Sequence, residues 1–203
     1  MNTLIEDVNN KLDHHTIKHN YWEDNGIEIM RYRLPVGDYV LANDKIMDVL
    51  ARKKMRGIQP KMMDFMGTYD VCVDSKFDIS ELVSGVCGKQ HDRLRDECIL
   101  AKNNGIRLIF VVENKGGLIK GTRDIYNPTI RDLSELSQWK NPRRFIYRSG
   151  KQLYPSATRG ISLMKACYTL KERYSCDFVF TTPEESGKRI IELLGGDSHV
   201  GKN

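Results

Sequence analysis

No stretch of about 18 consecutive apolar residues occurs in this chain, so a membrane-spanning helix is not expected. The opening MNTLIEDVNNKLDHH lacks the basic-then-apolar layout of a secretory signal. Cysteine is sparse and unpatterned. None of Cys72, Cys87, Cys98, Cys167 and Cys176 forms a CxxC spacing, and three fall inside apolar periodic patterns. Small buried thiols in a reducing cytoplasm fit that distribution better than disulfides or zinc ligands. Histidine is equally unhelpful to a metal reading: His15 and His19 share a helical face, but no cysteine or acid nearby completes a tetrahedral site, and His14, His15 and His19 read as surface residues. Internal repeats and low-complexity tracts are missing too, which excludes a solenoid or a disordered linker array.

What remains is an ordinary globular composition in 203 residues, 40% hydrophobic and 29% charged, enough for one buried core and cramped for two. The expectation is therefore a single domain over residues 1–203. The net charge of +5 permits a polyanionic partner without demanding one. Its distribution says more. ARKKMRGIQPK (51–61), KQHDRLR (89–95) and KNPRRFIYRSGK (140–151) are local basic clusters. Any one of them is ordinarily solvated surface, but three in a small chain favour nucleic acid.

TLIED (3–7) reads as a strand, and TIKHNYWEDN (16–25) as a helix with Ile17, Tyr21 and Trp22 on one face and Gly26 as its stop. IEIMRYRLPVGDYVLA (27–42) reads as a hairpin or bent strand broken at Pro35 and Gly37. A methionine-rich interval over 43–68 looks like a partly helical insertion. YDVCVDSKF (69–77) is a strand, residues 78–105 are helical with a break around Gly88, and IRLIFVVEN (106–114) is a strand buried on both faces. Loops and short helices fill a second insertion over 116–160, and helix–strand–helix closes the chain over 161–196. Strands alternating with helices imply an α/β domain, a mixed central sheet flanked by helices.

The chemistry concentrates at VCVDSK. Residues two apart on a strand share a face, so Asp74 and Lys76 project together, and Asp38, after the bend at Gly37, is the obvious third group. Two acids and a lysine are a minimal kit for metal-assisted phosphodiester hydrolysis. The acids hold a hard cation, and the lysine orients water or offsets charge on the phosphate. Glu113, closing its apolar strand, reads as a cap at the strand edge. Tyr126, Trp139, Phe145 and Tyr147 lie among basic residues, where stacking on unpaired bases competes with packing of the lobe onto the core.

Taken together, RLPVGDYVLA, CVDSK and SELVSGVCGKQHDRLRDECILAKNNGIRLIFVVEN resemble the XPF-type nuclease domain in its small, stand-alone phage and prophage versions. The resemblance spans residues 3–42 and 69–114, with a weaker echo in the final helix–strand–helix. It implies a restriction-endonuclease-like core and a Mg²⁺- or Mn²⁺-dependent endonuclease for branched, flapped or single-strand-containing DNA, working in the cytoplasm of a bacterial host. On this resemblance Asp38 matches the G-D acid, Asp74 and Lys76 take the places of E and K in E-R-K, and Asp7 matches the first-strand acid, so that Asp38, Asp74 and Asp7 are the expected metal ligands. Lys89, His91, Arg93 and Arg95 fall where family members present basic residues to DNA. Related nucleases pair as homodimers, and a phage or host protein is a further partner to expect. Departures are visible: Val8-Asn9-Asn10 stands where the family has x-R-E, Ser75 replaces an arginine, and Ile79-Ser80 stands where an acid is expected. They motivate the alternative of a weak or inactive nuclease-fold module that binds DNA or a host protein.

Overall fold

The computed structural model describes residues 2–10 and 16–196. His14 and His15 lie outside them. Six strands form the central sheet: β1 (Thr3–Asp7), β2 (Glu28–Tyr32), β3 (Tyr39–Leu41), β4 (Val71–Lys76), β5 (Arg107–Glu113) and, numbered after four short hairpin strands, β10 (Asp177–Thr181). Their order is β10-β5-β4-β3-β1-β2. Neighbours pair in parallel except at β3, which runs against both β1 and β4. The sheet is mixed, as expected, with one strand reversed.

The stretch 27–42 is not a hairpin. Helix α1 (Thr16–Asp24) carries the chain across so that β2 lies parallel to β1, while β3 pairs on the opposite side of β1. Pro35 and Gly37 sit in a loop that passes the end of β1, not in a tight turn between partners. Gly26, with φ 64, stops α1 as anticipated. The inner face of that helix differs from expectation, however: Lys18 and Trp22 are buried, and Ile17 is exposed.

Side-chain alternation feeds two cores. On one face, Ile5, Cys72, Phe110 and Val112 pack with α2 (Asp44–Met55), α3 (Ile79–Cys87), α4 (His91–Asn103) and α5 (Gly160–Tyr174). On the other, Leu4, Tyr39, Val73, Ile109 and Val111 meet Trp22 of α1 and Ile190 and Ile191 of α6 (Pro183–Leu193). The interval 43–68 contributes Ile46, Val49, Leu50 and Phe65 to the first core, so it is integral to the domain. The break near Gly88 separates α3 from α4. Residues 116–160 hold short 3-10 helices and two hairpins: β6 (Gly117–Leu118) with β7 (Tyr126–Asn127), and β8 (Tyr147–Arg148) with β9 (Lys151–Gln152). No helix among the described residues is long and apolar enough to cross a membrane. Four of the five cysteines are buried and all are free thiols.

Candidate functional site

Strand direction decides where the acids meet. β1 and β4 run the same way, so Asp7, Asp74 and Lys76 sit at one sheet edge, and reversed β3 begins at that edge just after Asp38. Main-chain bonds lock the junction: Asp38 N–H donates to the Val73 carbonyl (2.8 Å is the companion bond from Asp7 N–H to the Asp38 carbonyl; the first is 2.7 Å). The loop from Leu34 to Asp38 is held along its length. Leu34 N–H donates to Asp7 Oδ2 at 2.7 Å, Val36 bonds through both its N–H and its carbonyl to the Tyr69 hydroxyl, and Gly37 N–H donates to Glu97 Oε1 at 2.9 Å. Gly37 has φ 77, and a Cβ there would lie 2.8 Å from the Cys72 Cβ. Only glycine satisfies both the left-handed backbone and the close approach.

These elements line a cleft of about 680 Å³ that Asp7, Asp38, Asp74, Lys76, Arg93 and Glu97 share. Asp38 Oδ2 accepts a 2.8 Å bond from Ser75 N–H, and Lys76 Nζ donates to Asp74 Oδ1. Lys76 also lies 5.6 Å from the centre of the Phe110 ring. Burial, then repulsion from Asp74, raises the Asp38 carboxyl well above the usual carboxylate range, against the opposing pull of Lys76. The same two causes push Glu97 up to about 7, with the Gly37 amide, Lys76 and Arg93 pulling the other way. Burial acts to lower the Lys76 ammonium, but Asp74 and Asp38 outweigh it and hold its proton more tightly than in an ordinary lysine.

Glu97 is the residue that sequence reasoning missed. Its neighbour Arg95 pairs with Asp92 and Asp96, each at 3.0 Å, away from the cleft. The signal was present in the helical spacing, since Leu94, Cys98 and Ala101 are the buried face of α4 and Glu97 lies beside it. Of the basic residues expected at DNA, Arg93 lines the cleft and Lys89, His91 and Arg95 do not. His91 Nδ1 instead lies 2.8 Å from the Val86 carbonyl, bridging α3 and α4. Asp7 reaches the cleft with both oxygens already engaged, Oδ1 by Asn9 N–H at 2.7 Å and Oδ2 by Leu34.

Behind the cleft, on the α1 face, a second polar group is buried. Lys18 Nζ pairs with Glu113 and donates to Ser75 Oγ at 3.0 Å. Glu113 is thus half of an interior ion pair and not a strand-edge cap. Glu6 is likewise buried, 3.1 Å from His19 Nε2 and 3.2 Å from Arg31 Nε. His19 faces this network and is not a plain surface histidine.

Among the described residues, no three His, Cys, Asp or Glu side chains are grouped to cage a metal ion. The donor chemistry at the cleft nevertheless suits a hard divalent cation. Asp38 and Glu97 are carboxyls whose ionisation Asp74 opposes, and Mg²⁺ needs only one or two such oxygens beside waters and substrate phosphate. Comparison of the sequence with protein-family models and with curated proteins found no match.

Proposed function

We propose that this chain is a metal-dependent DNA endonuclease of the XPF type, built on a restriction-endonuclease-like core. The observation that carries the proposal is the meeting of Asp38, Asp74, Lys76 and Glu97 in one polar cleft at the sheet edge. Asp38 and Asp74 are the groups to hold Mg²⁺ or Mn²⁺. Such an ion, when bound, supplies a polarised phosphate and a water acidified toward neutral pH. Lys76 carries the positive charge that offsets the charge gathering on the phosphate during attack. Arg93, on the same wall, attracts the DNA backbone. Asp7 serves by fixing the Leu34–Asp38 loop with its two amide bonds, which keeps Asp38 in register with β4.

The test is cleavage of branched, flapped and single-strand-containing DNAs with Mg²⁺, comparing the wild type with Asp74→Ala. The expected loss is about 10²–10³-fold, the scale of removing one preorganised electrostatic group. Equal activity in both proteins, or none on any substrate, overturns the assignment. A second reading, a nuclease-fold module that binds without cutting, draws on the engagement of Asp74 by Lys76 and on the departures at Asn10 and Ser75. Metal titration separates the two: a site for Mg²⁺ or Mn²⁺ raises the melting temperature with ion concentration, and a metal-blind module gives a flat response.

A further inference from the structure

Residues 115–159 carry ten Lys and Arg against three Asp and Glu, a larger surplus than the +5 of the entire chain. Two of these cations are neutralised at the base of the lobe, Lys115 by Glu184 at 2.8 Å and Arg131 by Glu185. Arg143, Arg148 and Lys151 belong to no ion pair among the described residues. The second hairpin gathers charge where a neutral design would disperse it. Its turn, with Ser149 at φ 49 and Gly150 at φ 75, sets Arg148 directly opposite Lys151. Like charges facing across a ladder are destabilising, and an anion between them relieves that cost.

Aromatic rings stand among these cations. Trp139 is buried and belongs to the core, so that part of the stacking expectation falls away. Tyr147 is 60% exposed and Tyr126 56%. The Arg143 guanidinium lies 4.6 Å from the centre of the Tyr154 ring, a cation–π contact. Asn127, at the end of the first hairpin, is held through both its amide atoms by the Lys140 main chain, at 2.7 and 2.9 Å. The lobe leaves the sheet from the end of β5, the edge that also carries Asp74 and Lys76.

We propose that this lobe binds a single-stranded DNA segment that passes over the second hairpin, with Tyr147 as a stacking face on one side of the ribbon, Arg148 and Lys151 reaching phosphates from the other, and Tyr126 and Arg143 as further contacts. Exposed rings interleaved with cations are what unpaired bases and a phosphate chain require together. A duplex would use the cations and leave the rings idle, and a second copy would bring like charge against like. The choice of DNA as the nucleic acid rests on the endonuclease reading; the single-strand preference rests on the lobe alone.

The experiment is fluorescence anisotropy with a labelled oligo-dT strand and a duplex of equal length, in chelator and without cleavage. The single strand is expected to bind more tightly, and Tyr147→Ala to weaken it roughly 5- to 100-fold. Tyr147→Trp should keep the affinity. Because Trp22 and Trp139 are both buried, the new indole should be quenched by the oligonucleotide. Arg148→Gln with Lys151→Gln should reduce the slope of log K against log salt by about 1.4, some 0.7 per lost phosphate contact. Thermal melts check that these surface variants remain folded. Unchanged binding in Tyr147→Ala without quenching in Tyr147→Trp overturns the proposal. So does binding to phosphatidylglycerol vesicles with none to the oligonucleotide. Since binding is read without metal or turnover, such a failure leaves the endonuclease reading intact, whereas Asp74→Ala that still cuts overturns only the latter.

Discussion

Asp74 and Ser75 are neighbours on β4, yet their side chains enter opposite layers of the protein and meet opposite electrostatics. Toward α4, Asp74 joins Asp38 and Glu97 in a cleft where negative charge is crowded and Lys76 is the nearest counter-charge. Toward α1, Ser75 meets Lys18, whose charge Glu113 balances in a closed interior pair. The rear is balanced, satisfied and sealed. The front keeps an unbalanced surplus and is open to solvent. A balanced polar cluster and an unbalanced one are thus separated by a single residue step, and charge balance distinguishes them better than burial does.

Breaking the rear pair should have the largest effect on the fold. Lys18→Met leaves Glu113 buried without its cation, which costs about 3–5 kcal/mol and should lower the denaturation midpoint accordingly. Adding Glu113→Leu should restore most of that loss. If the double variant stays as unstable as the single one, the rear network does more than balance charge.

The front should respond in the other direction. Folded Glu97 keeps its proton up to about pH 7, whereas an unfolded glutamate releases it near 4.5. The folded state therefore binds the extra proton between those values, and stability falls as pH rises from about 4.5 to 7. Above pH 7 the penalty is on the order of 3 kcal/mol. Glu97→Gln should then stabilise the protein at pH 8 in chelator and leave it unchanged at pH 4, as measured by urea unfolding. A variant less stable at pH 8 would mean that the Gly37 contact outweighs the repulsion. The smallest effect is expected outside both faces. Arg95→Gln breaks only surface pairs with Asp92 and Asp96 and should alter stability by less than about 0.5 kcal/mol, without changing DNA affinity as Arg93→Gln should.

Much of this arrangement was legible in the chain. The apolar run ending at Asp74-Ser75-Lys76 and the glycine before Asp38 announced the strand end and the bend, because both rest on local rules of alternation and backbone freedom. Other features depend on which strands become neighbours. Nothing local says that β2 crosses over α1 to lie parallel to β1, so the Pro35–Gly37 break resembled a hairpin turn. Lys18 was hidden for the same reason: a lysine on a weakly amphipathic helix reads as solvent-facing until Glu113, 95 residues away, is brought beneath it. Glu97 falls between these cases: it lies beside the buried face of α4, but only the approach of Gly37 and Asp74 turns that position into part of a site.

Gly37, Ser75, Leu34 and Asn9 each lend a main-chain N–H to a carboxylate of the cleft, through Glu97, Asp38 and, twice, Asp7. Backbone donors cannot swing away as side chains do, so these acids are clamped to the chain itself. On the endonuclease reading proposed above, an incoming ion or phosphate would meet a finished receptor. Its arrival would be timed by diffusion and the shedding of water, with no wait for the protein to rearrange.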